Sequence, residues 1–279
     1  MLNSETNKIL SSAPLGKKSS YVNTYTPSLL FPLPRKPKRD ELGLTAHLPF
    51  EGFDLWTGFE ISWLNMKGKP IVAIAEFRIP ANSRCLIESK SFKLYLNSFN
   101  NSKFNSFEQV RETMIVDLSK AAEAPVEVKL SQLGDASREI GTFEGVCLDD
   151  LDIECSDYQP NVSYLTSTSE GVEETFSTHL LKSNCLVTGQ PDWGSVQIKY
   201  KGRKIDPAGF LKYIVSLRDH NEFHEQCVER IFVDILNRCE PEELSVYARY
   251  TRRGGLDINP FRTNRKNSDE VSNTRLIRQ

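Results

Sequence analysis

Two stretches decide the architecture: Glu108-Gln109-Val110-Arg111-Glu112-Thr113-Met114-Ile115-Val116-Asp117 and Glu225-Gln226-Cys227-Val228-Glu229-Arg230-Ile231-Phe232-Val233-Asp234. Glu108, Gln109, Glu112, Val116 and Asp117 recur as Glu225, Gln226, Glu229, Val233 and Asp234, each 117 residues later. Upstream, Phe92, Tyr95 and Ser98 recur as Phe210, Tyr213 and Ser216, at an offset of 118. A shared helical period accounts for part of the likeness, because any amphipathic helix repeats apolar residues every three or four positions. Polar positions at a constant offset, in two successive helices, argue instead for a tandem duplication.

The flanks of both copies read alike. Before the first, Phe59, Ile61 and Trp63 alternate with Glu60 and Ser62, the pattern of a half-buried strand. Lys67-Gly68-Lys69-Pro70 signals a turn, and residues 71–79 read as the returning strand. Ser106 and Gln109 suggest a capping box, with Val110, Met114 and Leu118 on one helix face behind it. Val126, Val128 and Leu130 then alternate as a strand. Around the second copy, Val196, Ile198 and Tyr200 alternate and Lys201-Gly202 reads as a turn. Asp206-Pro207 opens one helix and Asn221 a longer one, burying Val228, Phe232 and Ile235. Leu244, Val246, Ala248 and Tyr250 alternate again. The expectation is an α+β protein of two strand-strand-helix-helix-strand units, mainly antiparallel. Residues 1–40 form an N-terminal arm, 41–145 the first unit, 146–170 an acidic connection, 171–262 the second unit and 263–279 a tail.

Among 279 residues, 35 are Lys or Arg and 37 are Asp or Glu, but the charge is uneven. Residues 1–40 carry seven Lys/Arg against Glu5 and Asp40; residues 261–279 carry five against Asp269 and Glu270. The body between them keeps 23 basic and 33 acidic residues. A body of that sign is a poor nucleic-acid surface, because phosphate binding needs a clustered basic face. No apolar run approaches the roughly 20 residues of a membrane helix. The N-terminus offers no apolar signal core, so the expected location is the cytoplasm, with the six cysteines as reduced thiols. None of them forms a CxxC pair and there are four histidines, so no metal site is expected.

Chemistry concentrates in a few places. Cys185 and Asp192 lie seven residues apart, and Gly189 and Pro191 between them break any helix. A loop there can fold the carboxylate back toward the sulfur, where it could accept and later return the thiol proton. By spacing alone, a Cys near an Asp is more often a packed thiol. His224 and Glu225 open the long second helix and could bond a small polar ligand, or merely cap the helix. Glu88-Ser89-Lys90-Ser91 precedes an apolar helix, whose start could hold a phosphate or carry an ordinary cap. Arg252-Arg253-Gly254-Gly255 joins forked cations to glycines that let a phosphate approach, or simply turns the chain. Neither GxGxxG nor a P-loop occurs.

The run Leu86-Ile87-Glu88-Ser89-Lys90-Ser91-Phe92-Lys93-Leu94-Tyr95-Leu96-Asn97-Ser98-Phe99-Asn100 resembles the signature of the 7-cyano-7-deazaguanine reductases, the NADPH-dependent nitrile reductases of queuosine biosynthesis. The likeness runs from Leu15-Gly16-Lys17 and Ser28-Leu29-Leu30 to Gly254-Gly255-Leu256-Asp257-Ile258-Asn259-Pro260-Phe261, in the long two-unit form of the family. The resemblance implies tandem tunnelling-fold units, active sites at interfaces, a homodimer and a free base, not tRNA, as substrate. It implies that Cys185 forms a covalent thioimidate with the nitrile, Asp192 transfers protons, and His224 and Glu225 bind substrate, His224 also assisting protonation. It assigns Ile87, Glu88 and Ser89 to the deazaguanine, and Ser89, Lys90, Arg253 and Gly254 to NADPH, of which two molecules serve each turnover. Lys90 and Arg253 suit the extra phosphate of NADPH. It places the NADPH and base motif in one half and the nucleophile in the other, with the site where the halves meet. Three rivals differ in observable ways. A metal-dependent pterin-type cyclohydrolase would hold metal, a binding module would never consume NADPH, and a nitrilase-like hydrolase would release ammonia without it.

Overall fold

The computed structural model describes residue 12 and residues 21–44, 47–135, 140–266 and 271–279. Leu15, Gly16 and Lys17 lie outside them. In chain order the elements are β1 (Pro32–Pro34), α1 (Lys36–Glu41), β2 (Glu51–Leu64), β3 (Pro70–Pro80), β4 (Cys85–Ile87), α2 (Ser89–Ser98), α3 (Phe107–Ala122), β5 (Glu127–Ser131), β6 (Ile140–Gly141), β7 (Val146–Cys147), β8 (Ser167–Asn184), β9 (Pro191–Ile205), α4 (Pro207–Ser216), α5 (His224–Cys239), β10 (Glu243–Tyr250), β11 (Leu256–Thr263) and β12 (Arg275–Leu276). The protein is α+β and its strand pairs are mainly antiparallel. No helix among the described residues is long and apolar enough to cross a membrane.

The chain forms two compact units. Unit 1 holds residues 1–45, 53–138 and 252–257; unit 2 holds 46–52, 139–251 and 258–279. The Arg252-to-Asp257 turn, expected with the second unit, therefore packs in the first.

Within unit 1 the strand order is β5-β3-β2, with α2 and α3 supplying the other half of the core. Trp56 and Phe77 from the sheet meet Phe92 of α2, with ring centroids 5.2 and 5.0 Å apart. Strand β2 starts well before the alternating segment at Phe59. Residues Phe53 to Gly58 are all buried, so alternation could not reveal them.

Within unit 2 the order is β11-β10-β9-β8-β7, with β7 parallel to β8. Lys201-Gly202 is not a turn: β9 runs straight through to Ile205. Gly202 has φ +148, and a side chain there would come within 2.9 Å of the Pro241 backbone, so glycine marks a close approach. The capping-box expectation holds in part. Ser106 Oγ accepts from the Gln109 N–H, whereas the Gln109 side chain accepts from Asn105 N–H.

The duplication reaches individual hydrogen bonds. Tyr95 Oη donates to Asp117 Oδ2 at 2.7 Å, and Tyr213 Oη donates to Asp234 Oδ2 at 2.6 Å. Ser98 and Ser216 hydroxyls both return to the carbonyl three residues back, at 2.6 Å. Glu88 and Asp206 both cap their helices by accepting two backbone N–H bonds. The long helices both end on a left-handed glutamate, Glu123 at φ 53 and Glu240 at φ 48. Such agreement in side chain, bond and backbone angle exceeds what a common helical period requires.

The two part-buried pairs differ in one respect. Asp117 also accepts from Tyr25 Oη at 2.8 Å, so its carboxylate keeps a partner if Tyr95 is truncated. Tyr213→Phe should therefore destabilise by about 1–3 kcal/mol, and Tyr95→Phe by less. Urea denaturation of the two variants measures the difference; equal costs would contradict the pairing.

Candidate active site

Unit 2 brings Cys185, Asp192, His224 and Glu225 together. Strands β8 and β9 form a hairpin whose last ladder pairs are Ser183 with Asp192 and Asn184 with Pro191. Cys185 follows, its N–H donating to the Gln190 carbonyl at 2.8 Å while Gly189 N–H donates back to the Cys185 carbonyl at 3.0 Å. Gly189, at φ +65, lets the loop close. Cys185 is the first residue beyond β8, and Asp192, at the start of β9, opposes Ser183. Cys185 and Asp192 thus both lie at the hairpin's end.

His224 arrives from elsewhere in the chain. The segment 220–222 pairs with the hairpin end: Asn184 N–H donates to His220 O at 2.8 Å and Glu222 N–H to Asn184 O at 3.1 Å. Helix α5 starts two residues later with His224 and Glu225, and Gln226 Oε1 accepts from the Phe223 N–H. His224 Nε2 consequently lies 3.6 Å from Asp192 Oδ1. Cys185, Asp192, His224 and Glu225 are 3, 4, 8 and 2% exposed, so water has little access to any of them. The His224 ring packs edge-on against Tyr250, centroids 4.2 Å apart, which limits its rotation.

Sequence reasoning missed the groups behind His224. Burial and the nearby Glu222 push the Cys227 thiol up to about 12, so it is inert at neutral pH. Burial likewise raises Cys239 to about 11. Burial and Cys227 hold the Tyr250 phenol well above its ordinary range, and it stays neutral. Alternation marked Tyr250 as a strand position, but only the fold shows it beneath the histidine.

Unit 1 gathers the other candidates. Ile87 ends β4, which pairs with β1, and is 1% exposed. Glu88 is fully buried and accepts from the Lys90 and Ser91 N–H groups at 2.6 and 2.7 Å. Burial raises its carboxyl, opposed by those amides and by Lys93 and Lys90. Its own cap thus occupies two of the amides that a helix-bound phosphate would use. A phosphate would instead meet the half-exposed Ser89 and Lys90 side chains. The Arg253-Gly254-Gly255-Leu256 turn closes by Leu256 N–H to Arg253 O at 3.4 Å, with Arg253 N–H donating back to Leu256 O at 3.0 Å and both glycines at positive φ as a type I′ turn demands. A side chain on Gly254 would come within 3.4 Å of Lys93 Cδ. Lys93 shares a helix face with Lys90, so the turn lies by the lysine-bearing face of α2. Lys93 joins the candidates as a cation that the sequence analysis did not single out.

Unit 2 thus offers a buried thiol, carboxylate and imidazole, and unit 1 offers a lysine face beside a glycine turn. Residues 21–130 match the family described as "Nitrile reductase, 7-cyano-7-deazaguanine-reductase N-term", and residues 191–269 match "QueF-like protein". The chain is 60% identical over 270 residues to the NADPH-dependent 7-cyano-7-deazaguanine reductase of Dechloromonas aromatica, covering 96% of this chain and 95% of that one. It is 59% identical over 252 residues to the enzyme of that name from Azoarcus, covering 90% of each chain. With that from Cupriavidus metallidurans the identity is 56% over 272 residues, 96% and 98% covered. The chain belongs to the family of NADPH-dependent 7-cyano-7-deazaguanine reductases, which are nitrile-reducing oxidoreductases.

The strand that presents His224 depends on an ion cluster. Glu222, 1% exposed, accepts from Arg230 Nε at 3.0 Å and lies 3.1 Å from His220 Nε2. Burial raises its carboxyl, but His220 and Arg230 outweigh burial and hold it at about 2, against an ordinary 4.5. Because the folded-state value is depressed, this stabilisation is complete above about pH 4.5 and is lost as pH falls toward 2. Glu222→Gln should therefore shrink the loss of urea resistance between about pH 5 and about pH 3. An undiminished loss would show that other carboxylates govern the acid limb.

Proposed function

We propose that this protein reduces the nitrile of 7-cyano-7-deazaguanine to the aminomethyl group of 7-aminomethyl-7-deazaguanine, through a thioimidate on Cys185, as a step toward queuosine in tRNA. The observation that carries the mechanism is the buried convergence of Cys185 and Asp192 on one hairpin end with His224, whose Nε2 stands 3.6 Å from Asp192 Oδ1.

In this reading Asp192 takes the thiol proton and the sulfur of Cys185 bonds to the nitrile carbon. The proton passes to the nitrile nitrogen, giving a neutral thioimidate, a better hydride acceptor than a nitrile. NADPH, when bound, supplies hydride, one molecule for each of two successive reductions. After the first, the carbon–sulfur bond breaks, the Cys185 thiolate departs and an imine remains. His224 and Asp192 deliver the protons that the nitrogen collects on its way to the amine. Burial of the three groups supports protection of the imine from water. Glu225 binds substrate beside His224, and Ile87, Glu88 and Ser89 hold the deazaguanine, the Glu88 carboxylate accepting from its donor edge. Ser89, Lys90, Arg253 and Gly254 receive NADPH, and the lysine-bearing face of α2 beside the turn supports this. Two tunnelling-fold units, a cytoplasmic homodimer, a free-base substrate and no nucleic-acid partner complete the reading.

Purified protein should oxidise about two NADPH per nitrile consumed, and Cys185→Ala should lower kcat by several orders of magnitude while still binding substrate. Turnover by Cys185→Ala would remove the thioimidate from the mechanism. Lys90→Glu should raise the KM for NADPH far more than it alters thioimidate formation, read by mass spectrometry of the protein adduct. Equal effects on both would defeat the assignment of Lys90.

A further inference from the structure

A second group of chemically competent side chains lies apart from the residues assigned to nitrile reduction. Cys147, Asp149 and His179 each offer a donor atom, and these three atoms lie within 4.8 Å of one another. Cys147 and Asp149 lie two residues apart, and His179 lies 30 residues beyond Asp149. The fold assembles them through two irregularities of unit 2. Strand β7 pairs in parallel with β8, Cys147 opposite Ser177. Gly145, at φ +86, permits the approach, since any side chain there would strike the Thr175 carbonyl at 2.3 Å. Beyond Ser177, the β8–β9 ladder breaks between Thr178 and Leu181. At such a bulge a strand re-aims a side chain and frees an N–H from the ladder. Here the His179 N–H donates to Asp149 Oδ1 at 3.0 Å, and the Thr178 hydroxyl donates to the same oxygen at 2.6 Å.

Those two bonds account for Asp149 as a bracket across the bulge. They do not account for the thiol of Cys147 or the imidazole of His179. The ring is nonetheless held: its Nδ1 lies 2.8 Å from Ser195 Oγ. Arg278 donates to that same hydroxyl at 3.0 Å and to the His179 carbonyl at 2.7 Å. A hydroxyl oxygen can accept from both Arg278 and an Nδ1–H, and in that tautomer Nε2 carries the lone pair that would coordinate. Metal-bound histidines are commonly oriented in this way by a partner on the other ring nitrogen.

We propose that Cys147, Asp149 and His179 bind a borderline-soft divalent cation of the zinc class. A thiolate, a carboxylate and an imidazole suit such an ion better than calcium or magnesium, which prefer oxygen alone. The two ligand charges match the ion's two. Zinc–ligand bonds of about 2.0–2.3 Å require the donors to close by a few tenths of an ångström to an ångström. Cys147 is exposed on a two-residue edge strand and is free to make that movement. Three protein ligands leave a position for water, and the ion pins the short edge strand β7 to the bulge of β8.

The test uses untagged full-length protein, stripped with chelator and titrated with Co²⁺ and Zn²⁺ alone. One equivalent of Co²⁺ should produce a thiolate-to-metal charge-transfer band, which Zn²⁺ displaces. The band should persist in Cys185→Ala, vanish in Cys147→Ser, and need at least about tenfold more metal in His179→Gln and in Ser195→Ala. Cys147 is exposed, so its replacement does not threaten the fold, and far-ultraviolet circular dichroism confirms that. A band that survives Cys147→Ser, one lost in Cys185→Ala, or no binding below about millimolar metal would each overturn the proposal.

Discussion

Asn184 exchanges two backbone hydrogen bonds with the segment 220–222, and the geometry of the candidate site follows from them. A hairpin end alone holds Cys185 and Asp192. A helix start alone presents His224 and Glu225. The short added strand joins the two, and it leaves no freedom of register because Asn184 is bonded on both sides. The distance of 3.6 Å between His224 and Asp192 is the outcome. What pins the segment is electrostatic: Glu222 is buried with Arg230 and His220 on it, and a buried carboxylate that lost those partners would be strongly destabilising.

The buried cysteines Cys185 and Cys227 sit in different surroundings. Cys227 lies one turn along the same helix from His224, but an apolar setting and a nearby carboxylate keep it a thiol. Cys185 sits instead in a hydrogen-bonded loop, its N–H on the Gln190 carbonyl and its carbonyl accepting from the Gly189 N–H. Both sulfurs are almost inaccessible to water.

The duplicated architecture separates scaffold from chemistry. Both halves keep the tyrosine-to-aspartate bond, the serine return and the left-handed glutamate that ends the long helix. The chemical groups are not duplicated: Phe107 stands where the second copy has His224, and Asp206 caps where the first copy has Glu88. Each copy therefore retains the interactions that hold its helices on its sheet, while the residues at the helix starts have diverged.

The sequence by itself determined the duplication, the helix faces and the half-buried strands, because each leaves a period or an offset that is local in the chain. It also singled out Cys185, Asp192, His224 and Glu225, through their chemistry and their place in a familiar motif. It did not reveal the buried start of β2, where Phe53 to Gly58 lack alternation, or β8, whose first half is largely exposed. Nor did it show that Glu88 spends two hydrogen bonds on its own helix, that Tyr250 backs His224, or that the Arg253 turn packs in the first unit by Lys93. Periodicity reports only burial on a single face. Convergence of distant residues depends on strand register, a bulge or a close backbone approach, and those are decided when the sheets pair.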